Sequence, residues 1–424
     1  MLVNEERSKI IQLIEQEVIP AIGCTEPISV ALAVAKTKEL LGGIPNFVEV
    51  LLSANVLKNA MGVGIPGTGM YGLPIAIAMG ALAGKSEYGL EVLRDISPAL
   101  LEEGKVFIQD KKLRVGLKDS ISEKLYIEVS SRLGNDTAKA VISGEHTRFV
   151  YLAKNDEMLL DSTELVKVQE AEEDGLNLSF DKVCEFACTT PIDEIRFILK
   201  SVEVNRAAAA ESLKGTYGHG VAQTLSGGLM GNNVYTHMLS YTAAACDARM
   251  AGAMIPVMSN SGSGNQGITA TLPVSVFAEE TGKSEDELIR ALTLSHLMTI
   301  YIKQSLGRLS GLCGAVVAAT GSSCGITYLM GGSREQIGYA IKNMIGNITG
   351  MICDGAKPSC ALKVSNGVST ATLSAMMAME NKVVTAVEGI AAEEVDKTIE
   401  NLTRIGRFGM LETDRMILEI MTTK

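Results

Sequence analysis

The sequence has no surplus of basic residues. Its 424 residues include 38 Lys and Arg against 49 Asp and Glu, which gives a formal net charge of -11. Proteins that bind nucleic acids take much of their affinity from an excess of positive charge. The balance therefore excludes a general polyanion binder, and we expect no nucleic-acid partner.

The sequence also lacks an uninterrupted apolar run that could cross a membrane, although 46% of its residues are hydrophobic. Long uncharged stretches exist, but polar residues such as Asn232, Asn233 and Ser259–Ser261 interrupt them, and irregular polar backbone would go unsatisfied in lipid. The start, MLVNEERSK, lacks the basic-then-apolar layout of a signal peptide. We therefore expect a cytoplasmic protein with no membrane contact.

Glycine, in contrast, is abundant, with 42 residues against a usual share of about 7%. More than half of these glycines lie in four stretches without any Asp, Glu, Lys or Arg. These stretches are Asn59–Gly84, Gly215–Cys246, Met250–Ala278 and Leu309–Ser333. The pattern indicates Gly-rich turns inside the protein.

The hydrophobic pattern predicts an α+β fold without a fixed-period repeat. The spacing of Ile10, Ile14 and Val18 predicts a first helix that Pro20 ends, and a second helix is expected from about Thr25 to Leu41. Phe47–Ala54 reads as a buried strand. Later helices are indicated by the capping boxes at Ser284 and Ser333 and by helix-favouring tracts at Arg206–Ser212 and Leu373–Glu380.

Between residues 98 and 180 glycine becomes sparse, charges become frequent, and short alternating runs predict strands. We therefore expect a predominantly helical catalytic domain formed by residues 1–97 and 181–424, with residues 98–180 as a smaller β-rich insertion. The predicted strand segments are Lys105–Gln109, Leu113–Leu117, Leu125–Ser130, Ala138–Gly144 and Thr147–Ala153, with a turn at Asn155 and Asp156.

Without an export signal, the eight cysteines are expected to be free thiols, whose spacing can be interpreted as ligand chemistry. Cys353 and Cys360 bracket a loop of turn residues, and Cys313 has a glycine beside it. Three thiolates without a nearby histidine suit an iron–sulfur cluster better than zinc. From spacing alone, two small buried hydrophobic side chains at Cys353 and Cys360 remain an equal alternative.

Cys24 lies at the predicted N-terminus of the second helix, where unpaired N–H groups and the helix dipole favour a thiolate. Such a thiolate can accept a proton, attack an electrophile or bind metal. An unreactive residue beside a helix cap is the alternative.

Three motifs carry a resemblance to a known family. AIGCTEPISVALA near the N-terminus, SNSGSGNQGITATLPV (Ser259–Val274) and CDGAKPSCALKVSNG (Cys353–Gly367) resemble the L-cysteine desulfidase family, which is related to the α-subunit domain of iron–sulfur L-serine dehydratases. The similarity extends over essentially the whole chain. It implies a [4Fe-4S] enzyme that converts an amino acid with a β-leaving group into pyruvate and ammonia, with release of sulfide from cysteine.

By the same resemblance, Cys313, Cys353 and Cys360 match the cluster ligands. Cys24 matches the remaining family cysteine, which is expected to act as a base or to approach the cluster. Some iron–sulfur serine dehydratases end in a cysteine that reaches the open iron, but this sequence ends in Lys424, so Cys24 and water are the candidates for that position.

Two Gly-rich blocks are expected to bind the substrate. The run Ser259–Gly267 offers Asn260, Ser261, Asn265 and Gln266 together with backbone N–H groups that can cradle a carboxylate without a formal charge. Asn59–Gly72 is expected to close the other side of the site. Its candidate residues, with the preceding lysine, are Lys58, Asn59 and Thr68. Tight turns that allow close helix packing are the alternative interpretation of both blocks.

The leading hypothesis is therefore β-elimination of L-cysteine, with iron as Lewis acid and Cys24 as base. An iron–sulfur L-serine dehydratase is the second hypothesis, and a non-catalytic sensor or structural protein that binds a metal or cluster is the third. A pyridoxal-phosphate lyase is disfavoured because no lysine has a recognisable Schiff-base context. The expected partners are a small amino-acid substrate and further copies of this chain in a homo-oligomer.

Overall fold

The computed structural model has the predicted α+β architecture. It describes residues 3–118, 121, 123–163, 176–226, 228–307 and 310–423. The helices are α1 (Asn4–Glu17), α2 (Thr25–Leu41), α3 (Ala54–Ala60), α4 (Leu73–Leu82), α5 (Pro98–Gln109), α6 (Phe180–Thr189), α7 (Ile192–Ile195), α8 (Leu199–Lys214), α9 (Val221–Leu225), α10 (Val234–Met250), α11 (Gly264–Glu280), α12 (Glu285–Leu306), α13 (Gly314–Leu329), α14 (Arg334–Ile348), α15 (Cys360–Met379), α16 (Val395–Arg404) and α17 (Leu411–Thr423). The strands are β1 (Pro20–Ile22), β2 (Phe47–Leu52), β3 (Leu113–Leu117), β4 (Tyr126–Leu133), β5 (Asp136–Ser143), β6 (Phe149–Lys154), β7 (Glu157–Asp161) and β8 (Pro256–Met258).

Helix α2 has the predicted bounds. It begins after Cys24, carries Pro27 in its first turn, and ends at Gly42, whose left-handed φ of 79° lets its N–H bond the last carbonyls. Almost every residue of its first three turns is buried, because α2 packs against strands β4 and β5 on one side and against α4 on the other. This burial fixes the position of the N-terminus of α2.

The six-stranded sheet has the order β3-β2-β4-β5-β6-β7. Strands β2 and β3 are parallel, and the other neighbours are antiparallel. The buried strand predicted at Phe47–Ala54 is β2, so the sheet takes one strand from outside residues 98–180. Within those residues, the part at 164–175 lies outside the described chain.

One predicted strand is wrong. Residues 105–109 belong to helix α5, which begins at Pro98 after the N-cap Ser97, whose side chain accepts a hydrogen bond from the N–H of Leu100. The five residues are too few to distinguish alternation from helical periodicity, and the cap and the proline at the helix start decide for a helix. Both predicted capping boxes, at Ser284 and Ser333, are present.

The helices that follow the sheet pack into a second layer around α13. All but two of the residues of α13 are buried, and this helix contacts α11, α12, α14 and α15. Small residues on α13 make these contacts possible: a Cβ at Gly321 would lie 2.4 Å from the carbonyl oxygen of Ser295 on α12. No helix among the described residues is long and apolar enough to span a bilayer.

Candidate active site

The N-termini of four long helices meet at one cavity of about 120 Å³. The residues that cap or begin these helices all line it: Cys24 for α2, Ser263 for α11, Cys313 for α13 and Cys360 for α15. Each helix N-terminus presents unpaired N–H groups and about half a positive charge. The protein is acidic overall, yet its backbone makes this cavity suited to an anion.

A short backbone pairing brings Cys313 and Cys353 together. Leu312 and Ile352 form an isolated antiparallel bridge, in which Cys313 N donates to the carbonyl of Met351 at 3.0 Å and Cys353 N donates to that of Gly311 at 2.7 Å. Cys313 and Cys353 each follow one residue of the bridged pair, so they are diagonal neighbours on the two paired segments. In antiparallel pairing, diagonal neighbours lie about 7 Å apart and have their side chains on the same face.

The third thiol, Cys360, reaches the same cavity because the loop before it is tightly folded. Gly355 has a φ of 89° and approaches α3 so closely that a Cβ would lie 2.2 Å from the carbonyl oxygen of Lys58. The Cys360 N–H bonds the carbonyl of Lys357, and its Sγ lies 3.7 Å from that of Gly355. Glycine is therefore required where this loop turns back on α3.

Burial favours the protonated form of two of these thiols, Cys313 and Cys360. Burial, with a smaller effect of Cys353, raises the pKa of Cys313 to about 12. Burial likewise raises the pKa of Cys360, although Lys357 and Lys363 act in the opposite direction. The thiols would bind a metal centre as thiolates, and metal binding would release their protons.

A single metal ion is not what this donor set suits. Among the described ranges, no three His, Cys, Asp or Glu side chains are close enough to bind one ion. All three candidate donors are thiols. Three soft sulfur donors around a space larger than one ion are the chemistry of an iron–sulfur cluster.

A second buried group lies at the start of α2. The Sγ of Cys24 donates to Oε2 of Glu26 at 2.9 Å, and the same carboxylate accepts from the hydroxyl of Thr25 at 3.1 Å and from Nδ2 of Asn59 at 2.9 Å. Cys24 and Glu26 both line the cavity. The carboxylate is thus held in one orientation by three donors, one of which is a thiol.

The helix N-terminus does not by itself make Cys24 a thiolate. Burial, and after it the carboxylate of Glu26, raises the pKa of Cys24 well above its ordinary value. Burial also pushes the pKa of Glu26 upward, but His146, the Cys24 thiol and the Asn59 amide together hold it below the ordinary value. The pair therefore consists of a thiol and an ionised acceptor for its proton.

The sheet contributes His146 to this part of the cavity. His146 lies in the turn between β5 and β6 and lines the cavity together with Glu26. Because α2 packs against β4 and β5, the turn is carried to the N-terminal end of α2. The β-rich region is thus part of the site.

A buried cation lies beside the start of α2. Arg249, which is 3% exposed, donates from Nε to the carbonyl of Gly23 at 3.1 Å and from Nη1 to Oδ1 of Asn265 at 3.0 Å. Gly264 is needed beside it, since a Cβ there would lie 2.3 Å from the Arg249 Nε. Arg249, Lys303 and Lys363 line the cavity, so the site offers formal positive charge as well as helix N-termini.

The loop before α11 adopts an unusual backbone conformation at the cavity wall. Ser261 has a φ of 49°, a left-handed value that costs a non-glycine residue about 1 kcal/mol or more. Its N–H bonds the carbonyl of Glu17 and its hydroxyl bonds Oδ1 of Asn260. These two bonds hold the strained residue at the cavity.

Most of the residues proposed from the sequence meet here, and three do not line the cavity. Lys58 lies behind the cysteine loop, where its Nζ donates to the carbonyl of Cys353 at 3.1 Å and pairs with Asp414. Thr68 bonds the carbonyl of Ile65, and Asn260 bonds the imidazole of His296. The proposed residues that line the cavity are Cys24, Asn59, Ser261, Asn265, Gln266, Cys313, Cys353 and Cys360.

Three residues that line the cavity, Glu26, His146 and Arg249, are not among those predicted from the sequence. A signal existed for Arg249, because it belongs to the short charged segment Asp247–Arg249 between two long charge-free stretches. Glu26 has no local signal beyond its place as an acidic residue in the first turn of α2. No local sequence motif marks His146, because the packing of the sheet on α2 brings this residue to the cavity.

Comparisons with known proteins relate most of this chain to a described family and all or nearly all of it to bacterial relatives. The sequence profile of the family described as serine dehydratase alpha chain matches residues 87–419. The chain is 64% identical to a UPF0597 protein of Bacteroides thetaiotaomicron, over 100% of this chain and 99% of that protein. It is 54% identical to a UPF0597 protein of Porphyromonas gingivalis, over 99% of both, and 45% identical to one of Aeromonas hydrophila, over 98% of this chain and 96% of that protein.

Proposed function

Because this chain belongs to the serine dehydratase alpha-chain family, we propose that it is a [4Fe-4S]-dependent lyase that eliminates the β-substituent of L-cysteine. The products are pyruvate, ammonia and sulfide. The observation that carries the proposal is the convergence of three cysteines, four helix N-termini and a buried thiol–carboxylate pair on one cavity.

The residues present fit the proposed cluster. Cys313, Cys353 and Cys360 would hold it, and they supply soft sulfur donors with no competing imidazole among them. Gly355 provides the tight turn that their loop needs. When bound, a cluster held by three cysteines supplies an iron without a protein ligand that can act as a Lewis acid.

The chain's own groups account for substrate binding. The substrate carboxylate would be bound by the N–H groups at the helix N-termini and by Arg249, in a cavity where charge is little screened. Cys24 and Glu26, which line the same cavity, would then lie within reach of Cα. The cavity of about 120 Å³ suits a small amino acid.

Proton removal from Cα is assigned to Cys24. Glu26 accepts the thiol proton, and the resulting thiolate takes the proton from Cα. Loss of the β-sulfur as sulfide leaves an enamine, which tautomerises and is hydrolysed to pyruvate and ammonia. Asn59 and Thr25 hold the Glu26 carboxylate in line with the thiol.

A second candidate substrate is L-serine. The observation in its favour is the description of the matching family as serine dehydratase alpha chain. The same residues would act, with hydroxide in place of sulfide as the leaving group. The relative rates with L-cysteine and L-serine decide between the two substrates.

The test is an assay of pyruvate release by protein that has been reconstituted anaerobically with iron and sulfide. We expect pyruvate from L-cysteine together with an equal amount of sulfide, at a higher rate than from L-serine. Pyruvate from L-serine alone would favour the second candidate. A loaded cluster without pyruvate from either amino acid would instead indicate a sensor or structural role and overturn the proposal.

A further inference from the structure

The side chain of Gln266 presents an unused acceptor at the cavity. Gln266 is 2% exposed, and its Oε1 is buried without a hydrogen-bond partner among the described residues. Its Nε2 donates to the carbonyl of Asn260 at 3.4 Å, which fixes the amide so that the oxygen is the free end. A buried acceptor without a partner is costly and calls for a ligand that carries a donor.

This oxygen lies close to Gly314, the residue that follows the proposed cluster ligand Cys313. Gln266 lines the cavity together with Cys313 and Gly314. A Cβ at Gly314 would lie 3.1 Å from the Gln266 side chain and 3.4 Å from its Oε1. The free acceptor thus lies at the N-terminus of α13, directly after the first cluster cysteine.

Arg249 provides the complementary group. Its guanidinium has five N–H donors, of which the bonds to Gly23 and Asn265 use two. Asn265 precedes Gln266 in the sequence, so Arg249 and Gln266 are held by the same first turn of α11. A cation and a neutral acceptor that line one cavity match the carboxylate and the ammonium of one small zwitterion.

Glu26 has another role in the proposed reaction, as the acceptor of the Cys24 proton. Its two carboxylate oxygens already accept from Cys24, Thr25 and Asn59. We infer that Gln266 Oε1 accepts a hydrogen bond from the α-ammonium group of the substrate while Arg249 binds its α-carboxylate. This inference rests on the proposed function and makes the site specific for α-amino acids over carboxylic acids without the amino group.

The test measures binding of two unreactive ligands to the anaerobically reconstituted full chain by calorimetry. L-alanine has both charged groups and no leaving group, and propionate lacks only the ammonium. We expect the wild type to bind L-alanine at least about tenfold more tightly than propionate, since a charge-assisted hydrogen bond is lost with propionate. Equal affinities of the wild type for L-alanine and propionate would by themselves overturn the inference.

Two substitutions separate the roles of the residues. Gln266→Met keeps the length of the side chain but removes the acceptor. It should weaken the binding of L-alanine at least about tenfold and leave the affinity for propionate unchanged. Arg249→Lys should weaken both ligands. Gln223→Met, outside the cavity-lining set, is the control and should change neither.

The outcomes distinguish this inference from the proposed function. If Gln266→Met weakens the binding of both ligands equally, or of neither, the inference is overturned, even when the wild type releases pyruvate. The expected binding pattern in a protein that releases no pyruvate supports the inference and overturns the proposed reaction.

Discussion

The thiol of Cys24 donates a hydrogen bond to the carboxylate of Glu26 across 2.9 Å, with both groups buried at the N-terminus of α2. Burial and this carboxylate raise the pKa of Cys24, which opposes the thiolate that a helix N-terminus would favour. The same carboxylate is the acceptor through which the thiol can lose its proton when the substrate binds. The pair therefore connects the raised pKa to the proposed role of Cys24 as a base.

Replacing Cys24 tests that role directly. Cys24→Ala should lower kcat for pyruvate release by about 10²- to 10⁴-fold, the usual contribution of a general base. Iron content after reconstitution should not change, because Cys24 is not among the three proposed ligands. Full turnover with a complete cluster would exclude Cys24 as the base.

Glu26→Gln should alter the pH dependence of the reaction. Removing the negative charge beside Cys24 removes one cause of its raised pKa. The alkaline rise of kcat/KM, which follows the thiolate fraction, should therefore begin at lower pH, while the rate at pH values below that rise falls because the thiol has lost its proton acceptor.

Thr25→Val is the matched control for that experiment. It removes one hydrogen bond to Glu26 and keeps the charge, so its pH profile should stay close to that of the wild type. A Glu26→Gln profile with an unshifted alkaline rise would show that the carboxylate does not set the pKa of the base.

Gly355→Ala should prevent the cysteine loop from reaching its position. The new Cβ would lie 2.2 Å from a backbone oxygen, at a φ of 89°, and we expect a loss of about 2 kcal/mol or more of stability. Iron bound per chain after reconstitution should fall in parallel. Gly350→Ala is the control, because a Cβ there meets no atom within 4 Å; equal iron content in the two variants would contradict the role of the loop.

We expect the stability of the protein to depend on pH through Glu128, a residue of strand β4. The buried carboxylate of Glu128 bonds Tyr126 Oη at 2.7 Å, Lys118 at 2.9 Å and Lys139 at 3.1 Å. Burial raises the pKa of Glu128, but these three partners outweigh burial and hold it below its ordinary value of 4.5. Because the folded pKa is the lower one, the stabilisation is present above about pH 4.5 and is lost as the pH falls through the folded pKa.

Glu128→Gln should therefore lower the free energy of unfolding by about 1 to 3 kcal/mol at pH 7, measured by urea denaturation. The difference from the wild type should shrink below about pH 4.5. Glu49→Gln, which removes a more exposed ion pair with Arg114 in the same sheet, should cost less than about 1 kcal/mol. A constant difference from the wild type across the pH range would contradict the assignment to Glu128.

Local signals in the sequence predicted much of the fold and the family. Helix α2 and the caps at Ser284 and Ser333 follow from side chains that bond backbone groups a few residues away. The family resemblance read from three motifs is confirmed by the family match and by relatives that cover the whole chain. The strand predicted at residues 105–109 was wrong because so short a run carries no decisive period.

The remainder of the site depends on contacts between distant segments. His146 reaches the cavity through the packing of the sheet on α2, and Arg249 through bonds to Gly23 and Asn265. Lys58 looks like a substrate-binding residue beside a Gly-rich block, yet its ammonium bonds Cys353 and Asp414 behind the loop. No local sequence pattern distinguishes a lysine that lines the cavity, such as Lys363, from one that supports its wall, such as Lys58.

The most direct test of the account is the rate of pyruvate release from L-cysteine by anaerobically reconstituted protein, measured on samples with known iron and sulfide content. We expect about four iron and four sulfide per chain, turnover in proportion to iron, and loss of both in Cys353→Ser. Cys188→Ser, an exposed cysteine outside the cavity-lining set, should keep both. Turnover that is undiminished in iron-free protein or in Cys353→Ser would contradict a cluster-dependent reaction.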